Sequence, residues 1–165
     1  MRRLLFSLVA VGAACVWSAS AVAQTKFTGT CACGKPDPQH MLPAGDRPEH
    51  NLGVEQLKCS WTKPIELGGD KAKDGVATHT LDASGNKVRF RGVHVVTMQS
   101  GDKVSLPYQG SGVTKENKEV ESKGTFSLSG GTGKLKAIKG KGTFSCASSG
   151  DGVNCDVEGE YELAK

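Results

Sequence analysis

Beyond residue 23 the chain has no long apolar run, almost no helical periodicity and little excess charge of either sign. The first absence excludes a membrane-spanning helix there, since one needs about 20 consecutive apolar residues. The second argues against helical and α/β folds. The third bears on partners. With two leader arginines set aside, 19 basic residues stand against 17 acidic ones, and the lysines are scattered. Aromatic residues are also scarce, at 5%, and their phase puts most of them in a core. A phosphate-tracking groove needs clustered charge beside exposed stacking rings, so nucleic acid is not an expected partner.

Familiar chemical motifs are missing too. A phosphate loop requires Gly-Lys followed by Ser or Thr, whereas Lys134 precedes Leu135 and Lys141 precedes Gly142; nucleotide binding is not expected. No Gly-x-Ser-x-Gly elbow leads into a helix. A zinc set drawn from Cys31, Cys33, Cys59 and His40 or His50 has one residue between its first two cysteines, where zinc sites favour wider spacing. No metal and no cofactor are expected.

What is present begins with a leader. Arg2 and Arg3 precede an apolar stretch from Leu4 to Val16, and Ala21-Val22-Ala23 is a small-residue cleavage signal before Gln24. Residues 1–23 therefore read as a secretory signal peptide; a lipoprotein reading at Cys15 lacks the usual leucine three positions upstream. Residues 24–165 are long enough for a single domain with its own core. Export to the periplasm or the extracellular space puts Cys31, Cys33, Cys59, Cys146 and Cys155 where paired thiols oxidise. Cys146 and Cys155 end and begin neighbouring strand candidates and face each other across a hairpin. Cys59 pairs with Cys33 or Cys31, leaving one thiol over.

Period-two alternation dominates the rest, which is the strand signal. Val153, Cys155, Val157, Gly159, Tyr161 and Leu163 share one face, while Asn154, Asp156, Glu158, Glu160 and Glu162 share the other. From Val88, alternate residues give Phe90, Gly92, His94, Val96 and Met98, and Val104, Leu106 and Tyr108 form another face. Further candidates lie at 27–33, 57–61, 76–81, 125–128 and 143–146. Turn signals at Ser84-Gly85-Asn86, Ser100-Gly101-Asp102 and Ser148-Ser149-Gly150 separate them. Gly110-Ser111-Gly112 reads as a turn or bulge. The segment 34–53, with Pro36, Pro38, Pro43 and Pro48, reads as a long loop or strap. The expectation is an all-β protein: an antiparallel eight-stranded barrel with a long N-terminal proline-rich loop.

Between two strand candidates lies Gly130-Gly131-Thr132-Gly133-Lys134, followed by Gly140-Lys141-Gly142. Here the chain resembles the allene oxide cyclase and dirigent barrel-like superfamily, whose members carry a Gly-Gly-Thr-Gly-basic-apolar signature between late strands. Residues 74–165 are most similar to small exported bacterial proteins of unknown function with that barrel. The resemblance implies an eight-stranded barrel, often a homo-oligomer, whose interior in some members holds an apolar substrate. It carries no catalytic residue onto this sequence.

Inward polar residues are the remaining clue. His94 shares a face with Phe90, Val96 and Met98, and His79 with Ala77 and Leu81; with Tyr108 they form the one inward polar cluster the phase suggests. No carboxylate appears in phase beside His94. Two functions follow. One is a non-catalytic exported barrel that binds a small apolar ligand or a protein partner, without stable membrane insertion. The other is a cyclase or isomerase whose cavity confines an apolar substrate while His94 or Tyr108 shifts a proton.

Overall fold

A computed structural model describes residues 24–116 and 119–163. The leader 1–23 and its cleavage signal lie outside the described residues. Ten strands follow in chain order: β1 (Thr25–Cys33), β2 (Gln39–Pro43), β3 (His50–Lys63), β4 (Glu66–Leu67), β5 (Asp70–Ser84), β6 (Lys87–Met98), β7 (Lys103–Thr114), β8 (Val120–Ser129), β9 (Ile138–Ser149) and β10 (Gly152–Leu163). Eight of them, in the order β3-β1-β10-β9-β8-β7-β6-β5, form an antiparallel barrel that closes because β5 pairs back onto β3. β2 and β4 are additions at its margins. A 3-10 turn at Gly133–Leu135 is the only helical element among the described residues, and none of them forms a helix able to cross a membrane.

The stretch 34–53 departs from the loop expectation. β2 lies within it and pairs with β3 from Gln39↔Glu55 to Pro43↔Asn51. The cause is the stagger of the barrel. β1 reaches only the far end of β3, meeting it at Cys33↔Cys59, which leaves the first part of β3 without a partner on that side. β2 fills this gap. Pro43 is tolerated because β2 is an edge strand that ends there. Beyond it, Asp46 binds both Arg47 and His50, and His50 Nε2 reaches Asp82 of β5 at 3.1 Å.

Gly110-Ser111-Gly112 is likewise no turn. It lies inside β7, with Gly110 opposite Phe90. A Cβ on Gly110 would fall 2.6 Å from Phe90 Cζ, so the ring lies over the glycine across the strand pair. The same pairing recurs at Phe27↔Gly159, Phe126↔Gly142 and Phe144↔Gly124. Bulky rings thus fit a narrow lumen because each rests on a neighbour without a side chain.

The glycine-rich signature is shorter as a connection than its composition suggests. Only 130–137 join β8 to β9, while Gly140 and Gly142 belong to β9. The connection closes one end of the barrel. Thr132 N donates to Lys103 O and Lys103 N donates to Thr132 Oγ1, both at 2.8 Å. Gly133 has φ +50°, and any side chain there would collide with the Asp102 carboxylate; glycine is the residue that fits. Leu135 is thereby driven into a floor shared with Ile65, Leu67, Met98 and Ile138, all under 2% exposed. Gly68 N adds a hydrogen bond of 2.9 Å to the Tyr161 hydroxyl. The motif is structural.

Two disulfides join directly opposed inward residues, Cys33–Cys59 and Cys146–Cys155. Cys31 is free and buried, and it faces Cys155 across β1 and β10. Burial pushes its thiol up to about 11, where it stays protonated and inert.

Candidate functional site

Above the packed floor the barrel keeps an internal cavity of about 200 Å³. Leu57, Ala77, Phe90, Leu106, Phe126, Phe144 and Val157 supply most of its wall, and Glu55, His79, His94, Tyr108 and Ser122 supply its polar atoms. A wider concavity of about 1470 Å³ runs round the outside of the waist past Arg91, Lys123 and Glu158. It is open to solvent and rimmed by charged side chains, so it does not enclose a guest as the lumen does.

The polar side chains of the lumen are placed by register. Glu55 on β3 is opposite His79 on β5, His79 is opposite Gly92 on β6, and Gly92 is opposite Tyr108 on β7. One lateral row therefore carries a carboxylate, an imidazole, a gap and a phenol. The gap matters, because a side chain on Gly92 would collide with His79. Across it, His79 Nδ1 and the Tyr108 hydroxyl lie 2.5 Å apart, while His79 Nε2 and Glu55 Oε1 lie 2.8 Å apart. The Glu55 and His79 side chains are about nine-tenths buried. Phe90 and Phe144 complete the wall, with ring centroids 6.2 and 5.9 Å from that of Tyr108.

This chain of groups has a definite polarity. A carboxylate only accepts, so Nε2 carries a proton and donates to Glu55. With the imidazole neutral, Nδ1 accepts and Tyr108 donates to it. The phenol then offers its oxygen lone pairs to anything in the lumen. With the imidazole charged, Nδ1 donates to the phenol oxygen and the Tyr108 O–H is released toward a guest. Burial and the nearby Glu55 charge both raise the Tyr108 pKa, so the phenol acts as a hydrogen-bonding group rather than as a phenolate.

Of the three residues that sequence phase groups together, the structure joins His79 and Tyr108 and separates His94. His94 faces inward, but it is opposite Ala77, in the next row toward the floor. Its ring turns over Gly75 and lies parallel to Trp61, with an interplanar angle of 2° and centroids 6.3 Å apart. Its Nε2 is buried without a hydrogen-bond partner, and so is Nε1 of Trp61. Burial holds the His94 pKa down to about 4, so this imidazole is neutral. Trp61 accordingly packs on His94 in the lumen. Glu55 is the residue that sequence reading missed. It continues the alternation Glu55, Leu57, Cys59, Trp61, and extending that phase one step upstream exposes it.

The backbone fold has counterparts among solved structures. The fold is that of dirigent proteins. A pterocarpan synthase dirigent protein matches with a TM-score of 0.50 and 11% identity, over 93% of this chain and 98% of its own. A second pterocarpan synthase dirigent protein matches at the same score and identity, over 87% of this chain and 97% of its own. No family model matches the sequence, and no curated protein does. At this identity the likeness is one of backbone architecture, a dirigent-type barrel whose lumen this chain lines with its own side chains.

Proposed function

We propose that this chain is an exported binding protein whose barrel lumen takes up one small apolar molecule. The observation that carries the reading is the cavity of about 200 Å³, ringed by aromatic and aliphatic side chains above a fully packed floor. An engineered apolar cavity of about 150 Å³ stays dry and binds benzene, so this lumen suits a single substituted ring. Two disulfides support export, because they persist in oxidising compartments, and the leader-like N-terminus supports it independently. Calorimetric titration with ethylbenzene tests the reading. One molecule should bind per chain, and Ala77→Leu, which fills the lumen beside Leu57 and His94, should abolish the heat. Absence of binding, or binding that Ala77→Leu leaves intact, rejects the lumen as the site.

A second reading is favoured by one specific feature. The Glu55, His79 and Tyr108 hydrogen-bond chain is a proton path ending at an apolar cavity, as a cyclase or isomerase of an apolar substrate requires. Tyr108 would hydrogen-bond the reacting oxygen while His79, held by Glu55, gives or takes the proton. Glu55→Gln separates the readings. Turnover of a substrate should fall by about 100-fold under the second reading, whereas simple binding of ethylbenzene should change by less than about twofold.

A further inference from the structure

Strand register gathers on the outer face cations that look scattered along the sequence. Arg89 on β6 is directly opposite Ser111 on β7, and Ser111 is opposite Lys123 on β8. In the adjoining row Arg91 is opposite Gln109, and Gln109 is opposite Thr125. All six residues are exposed and line the concavity at the barrel waist. Strand spacing puts Arg89 and Lys123 roughly 10 Å apart, with Ser111 between them. Among the described residues none of the three cations has an ion-pair partner. Nearby carboxylates are engaged elsewhere: Asp82, opposite Arg89, pairs with His50, and Glu121 pairs with Lys115. We propose that this face binds an anionic polysaccharide, with its carboxylate or sulfate groups on Arg89, Arg91 and Lys123 and its hydroxyls on Gln109, Ser111 and Thr125.

The chemistry of the face selects this partner. A guanidinium presents a fork of donors that matches a carboxylate or a sulfate, and an ammonium pairs with either as a point charge. Hydroxyl and amide side chains both donate and accept, as the hydroxyls of a sugar do. Rows that alternate the two kinds suit a chain that carries charged groups among hydroxyls. Nucleic acid suits them less, because a base needs an exposed ring to stack on, and the nearest rings, Phe90 and Phe144, turn into the lumen. Carboxylates bound the face on both sides. Asp82 stands on β5, and beyond β9 Ser145 is opposite Asp156 and Thr143 is opposite Glu158. A polyanion is therefore confined to β6 through β9, a width of roughly 15 Å. That is a contact of a few sugar units, held by few charges and weakened by salt.

Dextran sulfate and neutral dextran share a sugar chain and differ in charge, and calorimetry at low salt compares them. Dextran sulfate should bind and dextran should not. Arg89→Ser combined with Lys123→Ser should weaken dextran sulfate by about tenfold. Lys26→Ser combined with Lys58→Ser removes the same charge from β1 and β3, outside the face, and should change binding by less than about twofold. Should the first pair misfold, the Nε–H resonances of the unaltered protein give the same answer. Dextran sulfate should move those of Arg89 and Arg91 and leave that of Arg47, which is tied to Asp46. Equal loss in the two double variants, arginine signals indifferent to dextran sulfate, or no binding at all overturns the proposal. An oligothymidylate that binds more tightly than dextran sulfate, and is lost with Arg89 and Lys123, overturns the sugar assignment in favour of nucleic acid. None of these results bears on the lumen, whose probe is ethylbenzene.

Discussion

Replacing His94 by phenylalanine should flatten the pH dependence of stability between pH 7.5 and 5. In the folded protein burial holds this imidazole near a pKa of about 4, against roughly 6.5 in an unfolded chain. A pKa lowered by folding means that the unfolded state takes up the proton first as pH falls. Stability is therefore complete above about pH 6.5 and declines progressively toward pH 4. By pH 5 the loss is about 2 kcal/mol, or roughly 6 °C in Tm for a chain of this size. His50 works in the opposite sense. Its hydrogen bond to Asp46 raises its pKa, so its contribution is full below about pH 6.5 and disappears as pH rises through the raised value. Being common to both proteins, it cancels in their difference. Urea unfolding at pH 7.5 and 5, with disulfides intact, measures that difference directly. The His94→Phe protein should gain about 2 kcal/mol on the parent across the interval. Parallel profiles would refute the argument that His94 is buried, neutral and unpaired.

Three further outcomes follow from the same structure. Tyr108→Phe removes the partner of His79 Nδ1 and should cost about 1–3 kcal/mol in chemical denaturation, the penalty of an unsatisfied buried polar atom. Gly110→Ala places a Cβ 2.6 Å from the Phe90 ring and should lower stability by about 1–3 kcal/mol through overpacking; alanine at Gly34, whose Cβ would come no nearer than 3.9 Å to Lys58 O, should force no such contact, and the two are compared by thermal melts. Cys31 should resist alkylation by iodoacetamide in the folded protein and react only after unfolding, as read by intact mass, because its thiol is buried and pushed up to about 11.

Much of the barrel is legible from alternation alone. The inward face of β10, from Val153 to Leu163, needs only the period of two, and the hairpin disulfide Cys146–Cys155 follows from it. The errors share one origin, which is that composition is local and register is not. Gly110 and Gly140 look like turn residues, yet each lies in a strand under a large neighbouring side chain: Phe90 for the first, Leu128 for the second. Prolines hid β2, whose existence depends on the stagger between β1 and β3. At the site, phase correctly turned His79, His94 and Tyr108 inward. Which of them meet depends on pairing across four strands, and this sets His79 opposite Gly92 but His94 opposite Ala77. Glu55 lay two residues beyond the end of a stretch that read as loop, and its partner His79 is 24 residues away.

An apolar lumen open to small guests within a closed barrel should take up xenon in a pressurised crystal. Xenon occupies dry apolar cavities. A xenon peak should appear between Leu106, Phe126 and Phe144 and be lost in Ala77→Leu. A lumen without xenon, filled instead by side chains collapsed onto His79 and Tyr108, would contradict it.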